Sequence, residues 1–435
     1  MTTGHELTRL LTAVFSLATD VGSLSDELHF AGRDAAERAE LDHGRANSLR
    51  ALELPGHARV LEVGAGFGAL TRYLGERSAF VHAVEPDPGR AAAARLRTRD
   101  LDSVTVLAEW APGDGDEYDL VVVAQAYATR GLLERVRARL APNGAVVVLT
   151  SSPAVVSTMA AAGLPVGREL SCSPGHETAR AVQTAALTAE FPRLAAGIAS
   201  ESARGLLLLA GPGAGALWPE DRLATYFNTT ERATFACTRA DVCRTPSGAE
   251  VRRVPLVPAK PVLGISVGPC TDAVRDAPTM VEVLLAEPWR VTELLTGWRD
   301  LLRREANGTG TALWDLVPHN VLVSGSELYP IDLEWHHEGA GVPEVTARGV
   351  LVLADLLATA GWSAAAPDGT MRELAGWLGV LIGLDPSFLD EAVEREVTFA
   401  TIGSCGSDQG VAEIRAAVAE VWAHRLARRT AGAGQ

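Results

Sequence analysis

Three acidic residues and a run of glycines are spaced as a ligand site would need them. Val60-Leu61-Glu62-Val63 leads into Gly64-Ala65-Gly66-Phe67-Gly68. Glycines at 64, 66 and 68 allow a tight turn and let backbone amides approach a ligand with no side chain between. Glu62 stands two residues before the first glycine. Glu85 follows 23 residues later in Val84-Glu85-Pro86-Asp87, and Glu109 another 24 later in Ala108-Glu109-Trp110. A carboxylate beside the loop suits a cationic amino-acid group and suits a pyrophosphate poorly. Glu85 can accept from both hydroxyls of a ribose, as it could in a dinucleotide enzyme, so it does not discriminate. Glu109 can accept from an adenine amine, and Trp110 can stack on the ring. A ligand-free turn or a different nucleotide remain the competing readings of the glycines alone.

Other residues qualify by type. His43 is the nearest titratable candidate for a general base, with Tyr127 second; each also reads as an ordinary packing side chain. Arg45 could pair a ligand carboxylate or form a surface salt bridge, and Gln125 ends a strand facing the loop. Far downstream, Trp314-Asp315-Leu316-Val317-Pro318-His319-Asn320 precedes Tyr329-Pro330-Ile331-Asp332-Leu333-Glu334-Trp335. An Asp with an Asn five residues on, and a second Asp beyond, is the spacing with which a phosphoryl-transfer site orients a hydroxyl and holds a metal. The same residues could equally form a buried polar network.

The elements needed to position the first group are legible around it. Strands are expected at Arg59–Val63, Phe80–Val84, Val104–Leu107, Asp119–Ala124 and Ala145–Thr150, with helices at Ala69–Gly75, Pro88–Arg99 and Gly131–Leu140. That alternation demands a parallel sheet covered on both faces, with all three acids at its carboxyl edge. Leu7, Leu10, Leu11, Val14 and Phe15 predict an N-terminal helix, and Leu41 to Leu52 a second. Glu177–Phe191 reads as helix and Gly205–Leu209 as a strand. The punctuation Gly211-Pro212-Gly213-Ala214-Gly215 suggests a boundary. The expected organisation is an N-terminal helical segment at 1–50, a nucleotide domain at 51–215 and a smaller α+β domain at 216–430. That last domain should begin with an antiparallel piece (233–238, 241–244, 251–255) and carry a hairpin at 321–331 among helices.

The stretch VLEVGAGFGALTRYLGE resembles the first motif of class I S-adenosylmethionine-dependent methyltransferases, in the form associated with bacterial glycan and glycosyltransferase loci. Leu41–Arg50 is similar to a helix of that family, and the likeness spans roughly residues 38–150. It implies a Rossmann-like α/β fold. It also implies that Glu62, Gly64, Ala65, Gly66 and Gly68 surround the methionine part of the cofactor. Glu85 and Pro86 would meet the ribose, Glu109 and Trp110 the adenine, and Gln125 and Arg45 the cofactor's flank. The chain departs from the family at Thr150-Ser151-Ser152-Pro153, where an acidic-Asn-Gln segment is usual. The segment 314–335 resembles aminoglycoside/choline-type kinases. Asp315 would then orient a hydroxyl, and Asn320 and Asp332 would hold metal with Mg-ATP, if that half is active. No glycine-rich loop precedes it, and Arg252 or Arg253 stands where a lysine is expected.

Composition narrows the classes. With 47% hydrophobic and 21% charged residues the 435-residue chain can bury sizeable cores. A net charge of −15 argues against nucleic acid as the main partner. Of 39 basic residues only Lys260 is lysine. Five scattered cysteines, without a CxxC or Cys/His cluster, suggest neither disulfides nor zinc and fit a reducing cytoplasm. No run approaches the ~18 apolar residues of a membrane span. The leading expectation is a cytoplasmic methyltransferase acting on a small-molecule, sugar or glycan-like acceptor, most simply by O-methylation of a hydroxyl or carboxylate. A bifunctional methyltransferase–kinase and a cofactor-binding scaffold for a biosynthetic complex are the alternatives.

Overall fold

The computed structural model describes residues 4–110, 116–175, 179–198, 205–230, 232–309, 313–362, 369–385, 387–405 and 411–428. It separates into two compact units, one of Met1–Thr230 with Arg239–Ala249, the other of Glu231–Thr238 with Glu250–Gln435.

In the first unit, β1 (Arg59–Val63), β2 (Phe80–Val84), β3 (Val104–Leu107), β4 (Tyr118–Ala124) and β5 (Leu140–Thr150) are parallel, in the spatial order β3-β2-β1-β4-β5. The central strands β1 and β4 and the second half of β5 are rich in Val and Leu and largely buried on both faces, as parallel strands sandwiched by helices must be, while the edge strand β3 is only partly buried. Val63 pairs with Val84 on one side and Val123 on the other, which aligns the carboxyl ends of β1, β2 and β4. The order reverses between β1 and β4. A sheet of this kind opens a crevice at that point, beyond the carboxyl ends of its strands.

The sheet then continues antiparallel. β8 (Gly205–Ala210) lies between β5 and β6 (Val166–Ser173), and β7 (Ala181–Gln183), β9 (Arg222–Asn228) and β10 (Thr238–Thr245) follow. Here the structure differs from two expectations. Residues 181–183 form a strand and not the start of a helix, because Ala181 and Val182 pair with Cys172 and Ser173 on one side and Thr225 and Tyr226 on the other. The glycine-rich segment at 211–215 is not the limit of the first unit either. It turns the chain through the short helix Ala214–Leu217 and back into the same sheet. Local punctuation marks a turn, but pairing partners decide which unit a strand joins.

The apolar core under the crevice is built from Leu61, Val63, Val121, Val123, Val146 and Val148 with Leu208. The N-terminal helix Gly4–Leu17 buries Leu11 and Phe15 against Phe67 and Ala93. The expected second helix is broken. Asp42 caps a short 3-10 turn at His43–Ala46 by accepting from the Gly44 amide, and the helical turn Asn47–Arg50 follows.

The second unit is mainly helical. β11 (Gly248–Pro255) pairs antiparallel with β13 (Cys270–Ala273), β12 (Ile265–Val267) with β16 (Trp335–His337), and β14 (Val321–Ser324) with β15 (Glu327–Pro330) through the expected turn. Helices Met280–Ala286, Val291–Thr309, Val342–Thr359, Met371–Leu381, Phe388–Cys405 and Val411–Ala427 enclose its core. Trp298 and Trp314 are fully buried there, and the Trp298 indole N–H donates to the Leu316 carbonyl at 3.0 Å. No helix among the described residues is long and apolar enough to cross a membrane.

Candidate active site

The glycine loop starts where β1 stops. The Gly64 and Ala65 amides both donate to the Val84 carbonyl, at 2.9 and 3.1 Å, which folds the loop back over the end of β2. Gly64, Gly66 and Gly68 all have positive φ, at 93°, 55° and 82°. A side chain at 64 would strike the Tyr127 ring at 2.7 Å, and one at 68 the backbone of Ala94 at 2.8 Å. Gly64 thus lets Tyr127 close over the loop, and Gly68 lets the helix Pro88–Arg97 pack against it. Gly66 meets nothing within 4 Å and faces open space.

Glu85 is 1% exposed and holds the loop from the β2 side. Its Oε2 accepts from the Gly66 amide at 2.8 Å and its Oε1 from the Asp87 amide at 3.0 Å. Each oxygen keeps a second lone pair for a ligand hydroxyl. Asp87 in turn caps the helix Pro88–Arg97 by accepting from the Arg90 amide at 2.8 Å, with Pro88 at its first position. Pro86, between the two acids, is exposed.

Glu62 is the most unusual group in the unit. It is 2% exposed, and its Oε2 accepts from the Thr71 hydroxyl at 2.6 Å. Its Oε1 is buried without a hydrogen-bond partner. Burial pushes its carboxyl up to about 7; the Thr71 bond opposes the shift, Glu85 adds to it and Arg45 opposes it. A buried acceptor with nothing to accept from is costly unless a donor arrives. A cation is the donor that would also restore its charge.

Gly64, Gly66 and Glu85 border a cavity of about 820 Å³, also lined by Glu40, Arg45, Phe67, Arg90, Ala124, Gln125, Tyr127, Ser151 and the Pro174-Gly175 turn. Arg45 pairs with Glu40 at 3.2 Å. The Gln125 side-chain oxygen accepts from the Ser151 amide and hydroxyl, at 2.7 and 2.9 Å, so its amide nitrogen is left to donate. Tyr127 is partly buried, and burial, with Glu85 adding to it, raises its phenol above the ordinary tyrosine value.

Of the residues expected at the site, Gly64, Gly66, Glu85, Arg45, Gln125 and Tyr127 line this cavity. Glu62, Ala65 and Gly68 belong to the loop and its base. Four others, with the exposed Pro86 among them, lie off the cavity wall. His43 is turned inward by the 3-10 turn and is 1% exposed, its ring stacked on His29 at 4.1 Å with Nε2 3.6 Å from Asp26. Trp110 is buried in the apolar core, edge-on to Tyr118 and under the Arg135 guanidinium, so its face is not available for stacking at the cavity. Glu109 is exposed in the bend after β3 and is not part of the lining. Glu40, Phe67, Arg90 and Ser151 were not anticipated. Arg90 had a signal, since it falls in the first turn of a helix that starts beside Glu85. Glu40 and Ser151 reach the cavity only through the fold.

In the second unit, Asp315, Asn320 and Asp332 do converge on one cavity, of about 390 Å³, with Arg232, His319, Glu334, Trp335, Arg348 and Phe399. Asp332 is already engaged by Arg253, Nε to Oδ1 2.6 Å, and Asp315 by Arg348 at 3.2 Å. Among the described residues no group of three or more His, Cys, Asp or Glu side chains is placed to hold a metal ion.

Residues 61–146 match the family model described as a methyltransferase domain. Over these residues the chain is similar to that domain. The family uses S-adenosylmethionine, and the matched segment runs from the glycine loop through β5. No curated protein sequence matches the chain. Among solved structures, the N-methyltransferase NodS of Bradyrhizobium japonicum is similar at 17% identity and a TM-score of 0.29, covering 40% of this chain and 94% of its own. An S-adenosylmethionine-dependent methyltransferase from Mesorhizobium loti is similar at 20% identity and a TM-score of 0.28, covering 38% and 97%. A putative methyltransferase of Haloferax volcanii, in complex with the Trm112 activator, covers 46% and 96% at 16% identity and a TM-score of 0.31. At these identities and scores none of the three carries a functional argument.

Proposed function

We propose that the chain is an S-adenosylmethionine-dependent methyltransferase that methylates an oxygen of a small-molecule, sugar or glycan-like acceptor. The observation that carries the cofactor assignment is Glu62, a buried carboxylate at the foot of an amide-lined loop with one oxygen lacking any donor. The donor set fits the cofactor. Glu62 would take its ammonium group, Glu85 its ribose hydroxyls, and the open face at Gly66 would let it lie against the backbone. When bound, the cofactor supplies a methyl group on a sulfonium, which is electrophilic without further activation.

The chain's own residues then have two tasks. The first is to hold an acceptor oxygen in line with the methyl group, since alignment alone can supply much of the rate. Arg45 and the amide nitrogen of Gln125 offer donors at the cavity wall, which suits an oxygen-rich acceptor such as a carboxylate or polyol. The second is proton handling, needed for a hydroxyl and not for a carboxylate. Tyr127, its phenol raised, stays protonated near neutral pH and donates a hydrogen bond instead of removing a proton.

Titration with S-adenosylhomocysteine, in wild type and in Glu85→Ala, tests the cofactor half. Micromolar binding that the substitution abolishes is expected. Transfer of label from the methyl group into sugar, glycan and metabolite fractions tests the acceptor half. Binding without transfer to any oxygen would remove the O-methyltransferase reading while leaving the cofactor site intact.

A further inference from the structure

The segment that ends β5, Thr150-Ser151-Ser152-Pro153, is where the chain departs from the methyltransferases it resembles. In the structure this segment orients a neighbour. Thr150 is fully buried, and its hydroxyl accepts from the Ser152 amide at 2.9 Å, which fixes the turn with Ser151 inside it. Both Ser151 donors then go to one atom: its amide and its hydroxyl donate to the Gln125 side-chain oxygen, at 2.7 and 2.9 Å. A main-chain N–H can only donate, so the end of the Gln125 amide that faces it is the oxygen. The Nε2 is the end that remains, and among the described residues nothing accepts from it.

The strand order places this donor. Glu85 follows β2, the glycine loop follows β1, Gln125 follows β4 and Ser151 follows Thr150 at the end of β5, and these strands lie in the order β2-β1-β4-β5. Ala124 and Tyr127, on either side of Gln125, press on Gly64 so closely that a Cβ there would meet both at under 3 Å. Gln125 thus stands beside the loop on the side away from Glu85 and from the ribose that Glu85 would hold. It lines the same cavity as the loop, and Arg45 adds a positive group to the wall. A hydroxyl acceptor gives up a proton on methylation and needs a partner that takes it. An oxygen that is already ionised needs a donor instead. The wall presents a donor, while His43, the side chain best suited to take a proton, is 1% exposed and outside the lining.

We propose that the acceptor is a carboxylate, held through one oxygen by the Gln125 Nε2, with Ser151 as the residue that positions Gln125. This rests on the reading of the chain as an O-methyltransferase. The second carboxylate oxygen attacks the methyl carbon, the carbon–sulfur bond breaks, and its electron pair stays on sulfur. A methyl ester and a neutral thioether result, and no proton is released.

The test incubates the full chain with S-adenosylmethionine labelled in its methyl group and with sugar, glycan and metabolite fractions, then treats the labelled product with alkali. An ester releases its label as volatile methanol, and an ether keeps it. Release is expected. Label retained as an ether would overturn this inference alone, and label on no oxygen would overturn it together with the O-methyltransferase reading. Two variants, assayed with the acceptor purified from the active fraction, test the residues. Gln125→Glu keeps the side-chain length and replaces the donor with a negative group. It should raise the acceptor KM about a hundredfold. S-adenosylhomocysteine affinity should be unchanged, which also shows that the variant is folded. Ser151→Ala keeps the main-chain bond to Gln125, so KM should rise by under about tenfold with kcat little changed, and Ser151→Thr should restore it. Ester formation by Gln125→Glu at the wild-type KM, or a loss of S-adenosylhomocysteine affinity that matches the loss in transfer, would overturn the proposal.

Discussion

The two cavities are both ringed by carboxylates, yet they are built on different principles. In the first unit the acids brace the glycine loop: Glu85 accepts from two main-chain amides, Glu62 accepts from the Thr71 hydroxyl, and the Arg90 guanidinium stands 3.7 Å from Glu85. In the second the acids serve side chains, each of Asp315, Asp332 and Glu334 lying against an arginine. The first arrangement leaves one stranded carboxylate oxygen for a ligand. The second ties its acids to Arg232, Arg253 and Arg348. Similar residue types therefore prepare one site for a zwitterionic nucleoside and tie the other into ion pairs.

The sharpest way to break this comparison is at Gly64. A valine there would meet the Tyr127 ring and the Ala124 side chain at under 3 Å, at a φ of 93°. Forcing a β-branched residue into that region costs on the order of 1–3 kcal/mol before the clash is added. Gly64→Val should lower S-adenosylhomocysteine affinity more than a hundredfold in a binding titration, while circular dichroism still shows a folded chain. Loss of the folded signal together with the affinity would mean that the substitution unfolds more than the loop.

Glu62 gives the next effect. Glu62→Gln should weaken S-adenosylhomocysteine by about ten- to a hundredfold, the range of a lost charge-assisted bond. It should leave 5′-methylthioadenosine, which lacks the amino-acid group, nearly unaffected. Because the Glu62 carboxyl is raised to about 7, wild-type affinity should climb between pH 6 and 8 as that group ionises, and the Gln variant should show a flat profile. Equal losses for both ligands would move the ammonium site away from Glu62.

Why this much was readable in advance, and no more, follows from the same contrast. The glycine loop and Glu85 belong to consecutive βα units, so their spacing in sequence is their spacing along the sheet edge. Glu40, Ser151 and the Pro174-Gly175 turn come from segments up to 135 residues apart and meet only because β5, β6 and β8 pair as they do. The expected stacking by Trp110 fails for a related reason. A tryptophan can satisfy more apolar surface in the core beside Tyr118 than at a rim, and sequence position does not tell which face it takes. In the second unit, Asp315, Asn320 and Asp332 could be grouped by spacing. Their pairing with Arg253 on β11 and Arg348 on a helix could not.

A smaller effect compares the two buried carboxyls directly. Both Glu62 and Asp332 have folded values near 7, above their ordinary ones. A raised acid stabilises the folded chain below its unfolded value, and that contribution is lost as pH climbs through the folded one. The ligand-free protein should therefore lose stability between about pH 4 and 7. Each group contributes on the order of 3 kcal/mol to that change. Glu62→Gln and Asp332→Asn should each flatten the profile and leave the protein more stable than wild type at pH 8, in denaturant titrations across the pH range. Unchanged slopes in both variants would mean that neither group is protonated in the folded protein.

The smallest expected change is at Tyr127, and it is informative because it is small. Its ring closes over Gly64 whether or not it carries a hydroxyl, and its raised phenol is a poor base near neutral pH. Tyr127→Phe keeps the ring and removes the donor. With a carboxylate acceptor the expected loss in kcat is under about tenfold, the scale of one neutral hydrogen bond, with no change in the pH profile. With a hydroxyl acceptor that depends on a base, a loss of about a hundredfold or more would appear together with a missing basic limb. The same substitution thus decides between the two oxygen acceptors, because only one of them needs a proton removed.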